Sequence, residues 1–253
     1  MKKILALTFL TATVAAQAQV ISWNIDAYGT ITASEHAGVV DAANWNDTWL
    51  IDGNALNATE SNLKDNTGAA TTVSLQQLGH NNSWNFWSIQ GSDPGLDANG
   101  ASNKRLLNGY ANKGGTEPST SPLSDGHTGV SLSGITYSVY DIYVYFSSDT
   151  AGRVGTVSLG STTYDFSTVG SASIAGGSAS FVQTTDTTGA NPTANYVVFT
   201  GLTGSTQTID SYVNLWGGIA GIQIVAVPEP GTLALVGLGG LATLVMARRS
   251  RKK

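Results

Sequence analysis

The chain has 253 residues, 41% of them hydrophobic and only 11% charged, with no cysteine and a formal net charge of −5. The absence of cysteine excludes disulfides, thiol catalysis and thiolate metal sites, so a domain of this composition has to hold through its core alone. Seven of the twelve cations sit at the two ends, which leaves residues 19–226 with 16 acids against 5 cations, a formal −11 that argues against a nucleic-acid partner.

The chain opens MKKILALTFLTATVAAQAQ, with Lys2 and Lys3, an apolar run from Ile4 to Ala16, and the small-x-small triplet Ala16-Gln17-Ala18. Charge, then grease, then small residues is the order of a secretory signal peptide cut after Ala18, and it makes the Sec export machinery an expected partner. Residues 19–226 would then lie outside the cytoplasm, a length that suits one all-β domain as well as two smaller ones; one domain is the expectation.

Strand-sized runs recur along that stretch between Gly, Asn, Ser and Thr turn signals. They cover residues 20–25, 70–75, 84–89, 129–132, 138–146, 154–159, 162–166, 178–183, 196–200, 206–209 and 221–225. Short strands at fairly even spacing predict a sandwich or barrel. The clearest is YSVYDIYVYF: alternation puts Tyr140, Ile142, Val144 and Phe146 on a core face, and Asp141, Tyr143 and Tyr145 on a partly exposed one. The one helix-like stretch, HAGVVDAANW from His36 to Trp45, predicts one or two turns, and GSASIAGGS at 170–178 reads as a loop.

The last 27 residues read VPEPGTLALVGLGGLATLVMARRSRKK. Pro228 and Pro230 break the domain from the apolar segment beyond them, and Glu229 between them sits in a rigid kink. Residues 231–247 carry no charged side chain, and as a helix they would reach about 25 Å, short of a bilayer core of roughly 30 Å unless Arg248 and Arg249 snorkel outward. Arg248, Arg249, Arg251, Lys252 and Lys253 would stay cytoplasmic by the positive-inside rule, so the expected protein is held in the inner membrane, at least transiently, with its bulk outside.

Val227-Pro228-Glu229-Pro230, an apolar span and an Arg-rich end resemble the PEP-CTERM sorting signal of Gram-negative bacteria. That resemblance implies recognition by exosortase, a transpeptidase-like membrane protease, and delivery to the cell envelope or the extracellular polysaccharide. The middle is also similar to a type often joined to such tails, through AGVVDAANWND at 37–47, RLLNGY at 105–110, YDIYVYF at 140–146 and GIAGIQIV at 218–225. The resemblance implies a jelly-roll-like antiparallel β-sandwich of unassigned activity and brings no catalytic residues with it.

Candidate chemistry in the middle is sparse. Nucleophilic catalysis needs a hydroxyl beside a held histidine, and none of His36, His80 and His127 lies in a Gly-x-Ser-x-Gly elbow, so no catalytic residue is assigned. Asp93 and Asp97 flank a Gly-rich loop with two carboxylates where calcium takes more oxygens; a turn is the simpler reading, a structural calcium the alternative, and no cofactor is expected. Sixteen acids allow many of the facing pairs that glycoside hydrolysis uses, without singling one out. Trp45, Trp49 or Trp87, among Asn44, Asn46, Asn81, Asn82 and Asn85, are the candidates for a carbohydrate platform, since flat aromatic faces pack on sugar C–H faces while amides bond hydroxyls; packing in the core is the other reading. The expectation is a non-catalytic envelope or matrix protein, structural or associated with extracellular polysaccharide. A secreted glycan hydrolase or lyase is the alternative.

Overall fold

A computed structural model describes residues 18–26, 30–49, 59–79, 82–85, 94–112, 123–170 and 179–228. In chain order the strands are β1 (Val20–Asp26), β2 (Asn46–Trp49), β3 (Thr59–Glu60), β4 (Ser74–Leu78) and β5 (Asn82–Asn85), followed by a short helix α1 (Asn103–Asn108). Then come β6 (Gly109–Asn112), β7 (His127–Ser133), β8 (Tyr140–Ser147), β9 (Val154–Leu159) and β10 (Thr162–Thr168). The last four are β11 (Thr193–Ala194), β12 (Tyr196–Leu202), β13 (Gln207–Val213) and β14 (Gly218–Ala226).

Two sheets carry the fold. One runs β12-β8-β14-β1-β2, the other β11-β10-β9-β13-β7-β4-β3, and β5 pairs with β6 in a separate ribbon. Both large sheets are mixed rather than purely antiparallel, because β1 pairs with β2 and β10 with β11 in parallel. This corrects the expectation of an antiparallel sandwich. Each parallel strand is an edge addition reached through a long loop, which frees its direction from the hairpin rule.

Alternation builds the core between the sheets. Ile21, Trp23 and Ile25 of β1 and Ile142, Val144 and Phe146 of β8 meet Leu132, Val157, Phe166 and Ile209 of the facing sheet. Phe146 and Phe166 stack at 3.6 Å between ring centroids. The inward set predicted for β8 is therefore the observed one.

Its outward set is partly exposed, as predicted, at Asp141 and Tyr143, but Tyr145 is buried. A second cluster covers that face of the five-stranded sheet, formed by Ile31, Ala37, Trp45, Leu106, Leu107, Ala179 and Ala220 around Tyr145, which is fully buried. Small residues of β14 admit this layer: a Cβ on Gly221 would overlap Leu106 Cδ1. Hence all but the last residue of β14 is buried, as a strand covered on both faces must be.

The segment expected to be helical at 36–45 is instead a loop clamped onto this face, closed by the Ala37–Ala42 bridge. Val39 N–H donates to Tyr145 Oη at 2.7 Å, the Tyr145 hydroxyl donates to Gln223 Oε1, and Gln223 Nε2 donates to Val40 O at 2.7 Å and to Ser22 Oγ at 3.1 Å. Gly38 turns the loop with φ at +96°, where a side chain would be strained and would also overlap Gln223. A helix cannot form where Val39 and Val40 must spend their backbone groups on the sheet.

The helix that does form, α1, lies in the RLLNGY stretch, with Leu106 and Leu107 fully buried. Arg105 pairs with Glu35, and Ser102 N–H donates to His36 O at 2.9 Å, so helix and loop lock together. Burial pushes the Glu35 carboxyl up, but hydrogen bonds from Thr32 and Arg105 outweigh it and hold it below its ordinary value.

Surface turns reuse one device. Asp65-Asn66-Thr67-Gly68-Ala69, Asp97-Ala98-Asn99-Gly100-Ala101 and Asp186-Thr187-Thr188-Gly189-Ala190 share the pattern Asp-x-x-Gly-Ala, with each Gly at positive φ. In each the carboxylate accepts backbone N–H groups of its own loop: Ala69 and Thr67 on Asp65, Ala101 on Asp97, and Thr188 and Asn191 on Asp186. Residues Gln19–Val227 form one compact unit; Met1–Ala18 with Pro228–Lys253 form another, of which only Ala18 and Pro228 are described.

Candidate functional site

The tail junction is set by β14. Its last residue bonds back to the first residues of the domain, Ala226 N–H to Gln19 O at 2.9 Å, and Val227 N–H then donates to Val139 O at 3.0 Å. Val227 and Pro228 are exposed, so the sorting stretch leaves the sheet without a linker. Glu229, Pro230, Arg248, Arg249, Arg251, Lys252 and Lys253 lie outside the described residues, as does Ala16; Ala18 precedes β1. Among the described residues no helix is long and apolar enough to cross a membrane, and the helix expected at 231–247 lies outside them.

Of the three tryptophans of the candidate platform, Trp45 is the one whose side chain is described. Trp45 is only 6% exposed, with its indole N–H given to Ala42 O at 2.9 Å and its ring 6.3 Å from that of Tyr145. It is a packing residue of the second core, and this corrects its assignment as an open sugar platform. Trp49 ends β2, its backbone opposite Asp26, and Trp87 lies outside the described residues. An exposed indole is found instead at Trp216, at 42%, in the loop between β13 and β14. Sequence alone does not single it out, because Asn-Leu-Trp-Gly-Gly resembles any hairpin connection.

On the outer face of the seven-stranded sheet, His127 Nδ1 lies 2.8 Å from Asp210 Oδ1, and the Tyr212 ring sits 5.1 Å from the imidazole. Strand register explains the set: Tyr212 pairs directly with His127 across β13 and β7, and Asp210 is two residues away on the same face. Such a set can shuttle a proton or bond a hydroxyl. His36 pairs with Asp41 at 3.1 Å in solvent, and His80 lies outside the described residues.

The Asp93–Asp97 loop keeps Asp97 mostly buried, its carboxylate accepting from Ala101, while Asp93 lies outside the described residues. Among the described residues no three His, Asp or Glu side chains converge as metal ligands.

Residues 226–252 match the PEP-CTERM protein-sorting motif. The match supports sorting to the cell envelope or exterior, with an exosortase-type membrane protease as the general kind of partner. A comparison with curated proteins finds no match to this chain.

Proposed function

We propose that the chain is an exported envelope or extracellular-matrix protein, a non-catalytic module that associates with polysaccharide. A signal peptide at 1–18 and the tail at 227–253 deliver it, the tail's apolar stretch anchoring it in the inner membrane until processing. The observation that carries this reading is the direct passage of β14 into the matched sorting motif at Val227.

The module itself is a jelly-roll-like sandwich in this reading. Eight of its strands support that, ordered β1-β14-β8-β12 in one sheet and β7-β13-β9-β10 in the other, so that among these eight the chain changes sheet at every step but the β9–β10 hairpin, as in two interleaved Greek keys. The acidic balance of residues 19–226 directs it away from nucleic acids.

Fractionation of producing cells tests the sorting half. The full chain is expected in the envelope or the polysaccharide layer, and a chain truncated after Ala226 elsewhere; identical distributions would overturn the role of the tail. Co-sedimentation with the cells' own exopolysaccharide tests the other half, with saturable binding and no released sugar as the expected result. The second reading, a glycan hydrolase or lyase, draws on the His127–Asp210 pair beside Tyr212, and released sugar would favour it.

A further inference from the structure

The two ends of the sandwich differ in what they expose. Gln19 and Val227 meet at one end of β14, while the loop 214–217 precedes its other end, about 27 Å away at the rise of an extended strand. That far end carries Leu215 at 54%, Trp216 at 42% and Val154 at 44% exposure. Scattered single apolar residues are ordinary, but these adjoin: Asn214 N–H donates to Val154 O at 2.8 Å.

The backbone is held in place to present them. Leu215 has φ at +71°, a conformation that a branched side chain adopts only where its surroundings impose it. Trp216 O accepts from Ser148 Oγ at 2.7 Å and from Arg153 Nη1 at 2.6 Å. Arg153 also donates to Thr150 Oγ1 at 3.1 Å and pairs with Asp149 at 3.1 Å. The indole therefore projects from a loop pinned by these neighbours, and a pre-ordered aromatic loses little freedom on binding.

The chemistry of the rim selects the ligand. Asn214 of the same loop, and Thr150 and Asp149 of the loop bonded to it through Arg153, carry amide, hydroxyl and carboxylate groups. A pyranose needs that combination, with C–H groups on the ring face and hydroxyls at the edge. The neighbouring cation, Arg153, is engaged within the loops, and the domain is strongly acidic, so polyanions and anionic lipid surfaces are disfavoured.

We propose that Trp216, with Leu215 and the Asp149–Thr150 rim, is a binding platform for neutral pyranose units of a polysaccharide, presented at the end of the sandwich opposite Val227. The platform rests on the polysaccharide reading above and names its surface.

Affinity electrophoresis of the full chain in mild detergent tests it, with a β-glucan, a galactomannan and dextran as neutral probes, alginate as polyanion, and Val182→Ala as a control at another exposed apolar site. Retardation by at least one neutral polymer is expected, with a dissociation constant raised at least tenfold by Trp216→Ala, partly restored by Trp216→Phe and unchanged by Val182→Ala. Thermal melting checks that each variant folds. If the parent chain is retarded but Trp216→Ala is retarded equally, the platform falls and the polysaccharide reading stands. If neither a neutral polymer nor alginate retards the parent chain, both fall. A Trp216-dependent retardation by alginate alone, or Trp216-dependent binding to anionic vesicles without retardation by neutral polymers, would replace the platform with an anion- or lipid-directed surface.

Discussion

The two faces of β8 are buried by different chemistry. Tyr140, Ile142, Val144 and Phe146 close the space between the sheets by apolar area, whereas Tyr145 on the other face is buried under a loop that reaches it through hydrogen bonds. The first core tolerates imperfect partners at a cost proportional to the void left behind. The second is a network, in which losing one member strands the others in a dry setting. Burial raises the Tyr145 hydroxyl pKa, only partly offset by the Val39 N–H, so the hydroxyl stays protonated and keeps donating to Gln223.

Substitutions separate the two. Phe166→Ala, which removes the ring stacked on Phe146, should cost about 3–5 kcal/mol in denaturant unfolding. A loss below about 1 kcal/mol would mean that the inter-sheet core collapses freely, and the contrast would fail. Tyr145→Phe keeps the ring but leaves Val39 N–H and Gln223 Oε1 short of a partner, for about 1–3 kcal/mol. Adding Gln223→Leu to that variant should cost less than in the parent chain, because the network is already broken; strict additivity would argue against a network.

The Asp turns give a pH-dependent test. Burial pushes the Asp65 carboxyl up, yet hydrogen bonds from Thr67, Gln19 and the backbone of Thr67 and Ala69 pull it below its ordinary value. Its contribution is therefore complete above the unfolded-chain value and is lost as pH falls through the depressed folded value. The parent chain should lose more stability than Asp65→Asn between about pH 5 and about pH 3, and equal losses would remove Asp65 from the acid limb.

The smallest effect should appear at the far loop. Leu215→Gly relieves a left-handed residue at some entropic cost, a net gain of about 0.5 kcal/mol. A loss above about 1 kcal/mol would show that Leu215 packs rather than presents.

Much of the inter-sheet core was legible from period-two patterning. The inward face of β8 and the bounds of β9 emerge from alternation and turn residues alone. The second layer was not, because what covers a sheet's outer face depends on partners far apart in sequence: Val39 meets Tyr145 across 106 positions and Val40 meets Gln223 across 183. The same dependence misled the reading of 36–45 as helical and of Trp45 as a platform. The recurring Asp-x-x-Gly-Ala turn is present in the sequence, but period-two patterning does not single it out. Trp216 was not readable, since its exposure depends on loops 148–153 and 214–217 bonding to each other.

Sorting through both ends is tested most directly by the intact mass of the protein recovered from the envelope of producing cells. The mature chain is expected to begin at Gln19 and to end before Arg248. A mature form that keeps Met1 and still carries Arg248 to Lys253 would contradict it.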